Sequence, residues 1–120
     1  MVRPILARAG EINQFDVGAV EGVPVAGRVR AQKLLHGEKG LLVKLWMDRG
    51  AITPAHRHNH ESYLYVLKGR IRSTVGGQAF DLGPGDAILH PMGVEHMCEA
   101  LEESMWIEVK APPKESLHPR

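Results

Sequence analysis

The chain has 120 residues, with 15 lysines and arginines against 14 aspartates and glutamates and a formal net charge of +1. This length predicts a single domain with a buried core. The nearly balanced charge is spread along the chain, which argues against a nucleic-acid partner, and no apolar run is long enough to span a membrane.

Cysteine usage and the N-terminal sequence bear on the cellular compartment. The single cysteine, Cys98, cannot form an intrachain disulfide, which fits a reducing compartment. Only a short apolar piece precedes Arg8, and this is less than a secretory signal needs. We therefore expect a cytoplasmic protein.

The patterning divides the chain into three parts. Glycines punctuate short apolar pieces in residues 1–30, which predicts an N-terminal arm with brief extended segments. Residues 31–110 carry the regular patterns and form the predicted barrel. The Pro-rich residues 111–120 form a C-terminal tail.

The piece from Leu41 to Asp48 alternates as a strand with one buried face does. Its other face carries Trp46 beside Leu42. We expect Trp46 either to lie in a homodimer contact or to pack under the N-terminal arm. The weakly patterned arm and this tryptophan together make a homodimer the predicted assembly.

Three histidines alternate within residues 50–69, namely His56, His58 and His60. On one strand they would share a face, and imidazoles on a curved strand can converge on one metal ion. The competing interpretation is a solvated strand face that happens to carry histidines. The apolar and aromatic residues 63–67 that follow favour a strand.

The remaining elements are also short. Residues 69–82 predict a β-hairpin, because Gly76-Gly77 suits a two-residue turn that needs positive φ. A tight turn at 83–86 precedes further short strands at 87–90, 96–101 and 104–110. Many short strands with Gly/Pro turns predict an all-β sandwich or barrel.

A further histidine, His96, follows a turn, a short strand and a Pro/Gly turn. With His56 and His58 it makes a set of three imidazoles, and neutral imidazole is the commonest metal ligand in proteins. His90 and Cys98 are weaker candidates for a position beside these three histidines. Cys98 is expected to be a small buried apolar residue.

Both histidine segments resemble the two motifs of the cupin family. The first motif is a glycine, five residues, H-x-H, three or four residues, a glutamate, six residues and a glycine. It is matched by Gly50, His56, His58 and Gly69. The second, G-x5-P-x-G-x2-H-x3-N, is matched by Gly85, Pro91, Gly93 and His96. The resemblance spans about residues 41–110 and implies a double-stranded β-helix, or jelly-roll barrel, with a metal site inside.

Two positions depart from these motifs. Ser62 stands where the family has its glutamate, with Glu61 one residue earlier, and Ala100 replaces the final asparagine. By strand parity Glu61 faces away from Ser62, so it could reach a metal only if a bulge shifts the phase. The fourth ligand is therefore open between Glu61, His60 and water.

The resemblance implies a divalent ion, Zn, Mn, Fe or Ni, held by His56, His58 and His96. An ion with open positions polarises a carbonyl or hydroxyl, activates water or binds dioxygen. The predicted function is a metal-dependent enzyme acting on a small oxygenated substrate, either an isomerase or hydratase or a dioxygenase. Glu61 and His60 are its candidate proton carriers.

The C-terminal half also resembles small single-domain cupins of the pectin-degradation type, which convert unsaturated uronates to open-chain keto forms. That resemblance favours a sugar-acid substrate. Two alternatives stay open: a non-catalytic ligand-binding or sensing module with a structural metal, and a barrel that has lost its metal. Exchangeable metal positions in a polar cavity would favour the enzyme, and a closed or apolar site would favour the non-catalytic module.

Overall fold

The structure, a computed structural model, describes residues 4–120. Within this range a 3-10 turn at Ala9–Glu11 is the only helical element, and no helix has the length and apolar character needed to cross a bilayer. The rest is built from short strands. They are β1 (Phe15–Val20), β2 (Val23–Pro24), β3 (Val29–His36), β4 (Leu41–Met47), β5 (Ile52–His56), β6 (Glu61–Lys68), β7 (Ile71–Val75), β8 (Gln78–Leu82), β9 (Ala87–His90), β10 (His96–Ala100), β11 (Ser104–Ala111) and β12 (Leu117–Pro119).

The strands form two antiparallel sheets. One sheet has the order β12-β1-β3-β4-β11-β6-β9, with β2 paired to β1, and the other has the order β5-β10-β7-β8. One hydrophobic core contains buried residues from both sheets. This is the predicted all-β jelly-roll arrangement.

The alternation in the sequence sets which side chains enter the barrel. On β4, Leu41, Val43, Leu45 and Met47 are buried and the residues between them are half-buried, as predicted. On β6, Ser62 is buried while Tyr63 and Tyr65 are about half exposed. The hairpin of β7 and β8 turns at Gly76-Gly77, and both glycines have positive φ. The predictions for β4 and for the hairpin are confirmed, and β6 alternates as the parity of Ser62 and Glu61 predicts.

One prediction about the histidine segment is wrong, because the three alternating histidines do not lie on one strand. Strand β5 ends at His56, and His58 and His60 lie in the loop that precedes β6. The physical reason is that β5 pairs with β10 in one sheet, whereas β6 pairs with β11 and β9 in the other. The chain must turn between the sheets, so the strand cannot continue through the histidines.

Both ends of the chain join the large sheet. Residues 1–3 of the predicted arm lie outside the described residues, and the remainder supplies β1 and β2. Strand β1 pairs with β3 and with β12 from the tail. Val17, Val20 and Leu117 are buried in the same core as the barrel strands. The domain boundaries at residues 30 and 110 stay predictions.

Trp46 is half-buried on the outer face of the large sheet. The Arg30 guanidinium and the Lys44 ammonium lie 5.6 and 5.1 Å from its ring centroid, in cation–π geometry. Tyr63, Tyr65 and other large apolar residues remain exposed on the outside. The homodimer stays a prediction.

Candidate metal centre

Two of the three predicted metal ligands are brought together by strand pairing. His56 at the end of β5 is directly opposite His96 at the start of β10. The loop after β5 returns His58 to the same place, and the backbone N–H of Gly93 donates to the carbonyl of His58 at 3.0 Å. All three histidines are buried. Sequence-distant segments therefore converge at one end of the barrel.

The three imidazoles form a compact group. One nitrogen from each of His56, His58 and His96 lies within 4.8 Å of the other two. The ring centroids are 4.6 Å apart for His56 and His58, 4.3 Å for His56 and His96, and 4.9 Å for His58 and His96. This arrangement is compatible with metal–nitrogen bonds of about 2.0–2.1 Å after small ring movements.

Hydrogen bonds fix which nitrogen of each ring is available. The Nδ1–H of His56 donates to the carbonyl of Pro54 at 2.6 Å, and the Nδ1–H of His96 donates to the carbonyl of Val94 at 3.3 Å. The Nδ1–H of His58 donates to the Glu21 carboxylate at 3.1 Å. Because these oxygens can only accept, each Nδ1 carries the proton and each Nε2 keeps a lone pair.

Two of these lone pairs face each other. The Nε2 atoms of His56 and His58 are 3.1 Å apart, so with both protons on Nδ1 the two lone pairs repel each other, and a cation between them would relieve that repulsion. A proton is disfavoured, because burial lowers the pKa of His56 and lowers that of His58 to about 2, with Lys110 adding to both effects. Burial, with the neighbouring His90, lowers the pKa of His96 to about 3. Three neutral imidazoles with inward lone pairs fit a divalent metal ion.

His60 and Glu61 lie outside this trio. The ring of His60 stacks on His58 with centroids 4.2 Å apart, and it belongs to a separate cluster with His58 and Glu21. The Glu61 carboxylate accepts a hydrogen bond from the hydroxyl of Tyr63, an exposed residue on the outer face. Ser62 points inward, where its hydroxyl lies 3.3 Å from Nδ1 of His60. A ligand or proton-carrier role for His60 or Glu61 stays a prediction.

The cavity beside the imidazoles contains a buried ion pair, formed by Glu108 and Lys110, that was not among the predicted site residues. The Lys110 ammonium donates to the Glu108 carboxylate, which also accepts the Trp106 indole N–H at 3.1 Å. Burial alone would raise the pKa of Glu108, but Lys110 and the two hydrogen bonds lower it to about 2. The sequence does indicate that these two residues lie on one face, because Glu108 and Lys110 share strand parity with Trp106 in an alternating strand.

A second polar group of residues comes from β7, β9 and β10. The Ser73 hydroxyl lies 2.8 Å from Nε2 of His90, and the ring of His90 stacks on His96 with centroids 4.0 Å apart. The Cys98 thiol is 3.7 Å from the same hydroxyl, and burial raises its pKa to about 12. Cys98 therefore remains a protonated, buried wall residue, as predicted, rather than a thiolate ligand.

Comparison with known proteins assigns the barrel to one family. The family described as "Cupin domain" matches residues 45–109. An oxalate decarboxylase from Bacillus subtilis is 32% identical over 83 residues, which is 65% of this chain and 22% of that protein. The chain thus spans about a fifth of the length of this curated relative.

Solved structures agree on the fold. KdgF from Halomonas sp. superposes with a TM-score of 0.80 at 26% identity, covering 93% of this chain and 96% of the other. An RmlC-like cupin from Shewanella frigidimarina gives a TM-score of 0.81 at 24% identity, covering 93% and 94%. Because both matches cover 93% of this chain, they extend well beyond residues 45–109.

Proposed function

Because the chain belongs to the cupin family, we propose that it is a metal-dependent enzyme acting on a small oxygenated carboxylate, of which a sugar acid is one example. The observation that carries the proposal is the convergence of three neutral imidazoles beside a buried lysine. His56, His58 and His96 would hold the ion. When bound, a divalent ion supplies Lewis-acid polarisation of a substrate oxygen, or dioxygen chemistry if it is redox-active.

The ligand count supports an enzyme over a structural metal site. Structural zinc sites use four protein ligands, whereas catalytic sites use three and keep a position for water or substrate. Among the described residues, only His56, His58 and His96 make up this trio. Neither Ser62 nor the outward-facing Glu61 adds a fourth donor to it. We propose that exchangeable water or substrate takes the remaining position.

The charge of the cavity supports an anionic substrate. The ammonium of Lys110 has three N–H donors, and the contact with Glu108 uses one of them. Lys110 lines the same cavity as His56, His58 and His96. Together with a divalent ion it would give the site a net positive charge, since the carboxylates of Glu108 and Glu21 offset only two of the three positive units. We propose that Lys110 binds the substrate carboxylate and orients it toward the metal position.

The volume of the cavity limits which part of the substrate can enter. Water-sized molecules can occupy about 30 Å³ of it, and one water needs roughly 10–15 Å³ by this measure. A carboxylate with a neighbouring hydroxyl or keto group suits that space. A longer sugar acid would place only its reacting end inside. The name of the related oxalate decarboxylase indicates a small dicarboxylate for that protein.

The metal is tested first. Protein purified without added metal is analysed for bound ions, and zinc affinity is measured by competition with a chromophoric chelator. We expect one ion per chain, and we expect His56→Ala to weaken affinity by more than about a hundredfold, because it removes a ligand rather than a supporting contact. The control is His36→Ala, which removes an exposed histidine and should leave affinity unchanged. Equal affinity for the two variants would disprove the site.

The substrate class is tested with oxalate and a panel of short hydroxy and keto acids added to the zinc-loaded or manganese-loaded protein. Binding is measured by calorimetry and turnover by NMR. The double variant Glu108→Gln/Lys110→Met removes the ion pair and should abolish carboxylate binding while zinc still binds. Undiminished binding would reject Lys110 as the anion-binding residue. Carboxylate binding without turnover across the panel and unsaturated uronates would favour the non-catalytic ligand-binding alternative.

A further inference from the structure

We propose that Glu21 is a positioning residue for the metal centre, which keeps the proton of His58 on Nδ1 and so keeps its Nε2 free for the ion. The inference rests on the proposed metal site but concerns a residue from the N-terminal strands, outside both histidine motifs. Glu21 lies in the turn between β1 and β2. It is 37 residues from His58 in the sequence.

The contact itself is specific. The Glu21 Oε1 atom is 3.1 Å from Nδ1 of His58, and the side chains of the two residues are 35% and 3% exposed. An ionised carboxylate has no hydrogen to donate, so this contact forms only if Nδ1 of His58 is protonated. The ring of His60 stacks on His58 at an interplanar angle of 21° and restricts its rotation. Glu21 therefore selects one tautomer of a ring that is held in place.

The other tautomer would close the metal site. The Nδ1–H of His56 is already used by the carbonyl of Pro54, so Nε2 of His56 can only accept. Without Glu21, His58 could move its proton to Nε2 and donate it to Nε2 of His56 across 3.1 Å. That hydrogen bond would place a proton between the two nitrogens, in the space where their lone pairs must point for a metal ion to bind. Glu21 prevents this arrangement.

The backbone conformation of Glu21 supports a functional role for its side chain. Glu21 has φ of 51°, and among residues 4–120 it is the only non-glycine residue with positive φ. Gly22 follows with φ of 76°, so the two residues form the tight turn between Val20 and Val23. Such turns favour Gly, Asn or Asp at the first central position, and glutamate is unfavourable there. An unfavourable backbone conformation that carries a ligand-orienting side chain is typical of a functional site.

The test separates positioning from folding with two substitutions. Glu21→Gly removes the carboxylate and also relieves the backbone, so the metal-free protein should unfold at an unchanged or higher temperature. Its zinc affinity should fall by about 10–100-fold, the usual effect of losing a partner that orients a metal-binding histidine. Glu21→Gln retains a carbonyl oxygen that accepts from Nδ1–H and should retain most of the affinity. Glu38→Gly, at an exposed turn, is the control and should bind zinc like the wild type.

Nitrogen NMR of the metal-free protein gives a readout that does not depend on zinc. We expect His58 protonated at Nδ1 in the wild type and in Glu21→Gln, and protonated at Nε2 in Glu21→Gly. A wild-type His58 protonated at Nε2 would overturn the inference even if zinc binds. The inference would also be overturned if Glu21→Gly bound zinc as tightly as the wild type does. The same holds if the loss of zinc affinity in Glu21→Gly came with a lower unfolding temperature. If the tautomers are as expected but the wild type binds no zinc, the proposed metal site fails and the role of Glu21 in selecting the tautomer stands.

Discussion

The same strands supply a polar half and an apolar half to the interior of the barrel. Along β10 the buried residues run from His96 through Cys98 to Ala100, and along β6 they run from Ser62 to Val66. The polar half contains His56, His58, His90, His96, Ser62, Ser73, Glu108 and Lys110. The apolar half contains Met47, Ala51, Val66, Ile71 and Ala100.

Strand alternation decides which side chains enter the barrel, whereas the residue type decides how each half is stabilised. The apolar half gains stability from burial and close packing. The polar half loses solvation of its charged and hydrogen-bonding groups and recovers it only through partners. Lys110 has Glu108, and His90 has Ser73. The polar half should therefore be sensitive to loss of a partner, and the apolar half to loss of volume.

The largest expected effect follows from breaking the buried ion pair. Lys110→Met leaves the Glu108 carboxylate buried without its countercharge, which should lower the free energy of unfolding by about 3–5 kcal/mol. Urea denaturation of the metal-free protein measures it. The control is the double variant Glu108→Gln/Lys110→Met, whose amide still accepts from Trp106. Its stability should equal or exceed that of the wild type, and a double variant as unstable as Lys110→Met would contradict this account of the polar half.

A substitution in the apolar half should lower the free energy of unfolding by a comparable amount, but for a different physical reason. Met47 is fully buried at the end of β4 paired with Ser104, six residues along β11 from Lys110. Met47→Ala should cost about 2–5 kcal/mol through lost burial and a residual cavity, and it should leave zinc affinity unchanged. Leu67→Ala, at a partly exposed position on β6, should change stability by only about 0.5 kcal/mol. A large loss of zinc affinity in Met47→Ala would show that the two halves are not independent.

The sequence predicted the strands and their alternation better than it predicted which polar side chains meet inside the barrel. Alternation on β4 and the Gly76-Gly77 hairpin are local patterns, so each could be identified from adjacent residues. The convergence of His56, His58 and His96 was implied by the family motifs and agrees with the observed strand pairing. Each of these features could be predicted because it depends on a few neighbouring residues or on the residue spacing of the family motifs.

The remaining features depend on tertiary contacts. The placement of His60 could not be deduced from alternation, because the chain leaves one sheet and enters the other at that point. Glu21 lies far from His58 in the sequence and reaches it only because β1 joins the large sheet. The pairing of Glu108 with Lys110 had a local signal in strand parity. Its location beside the histidines required the full topology.

The smallest effect concerns the hydrogen bond between Ser73 and His90, and two buried serines make it measurable. The Ser73 hydroxyl contacts Nε2 of His90 at 2.8 Å, whereas the Ser116 hydroxyl has no hydrogen-bond partner among residues 4–120. Ser73→Ala should lower the free energy of unfolding by about 1–3 kcal/mol, because it leaves the buried His90 nitrogen unpaired. Ser116→Ala removes the same atom without removing a bond, so it should be neutral or slightly stabilising. Urea denaturation of both variants gives the difference. Equal losses would mean that the hydrogen bond between Ser73 and His90 adds nothing to stability beyond the packing of the two side chains.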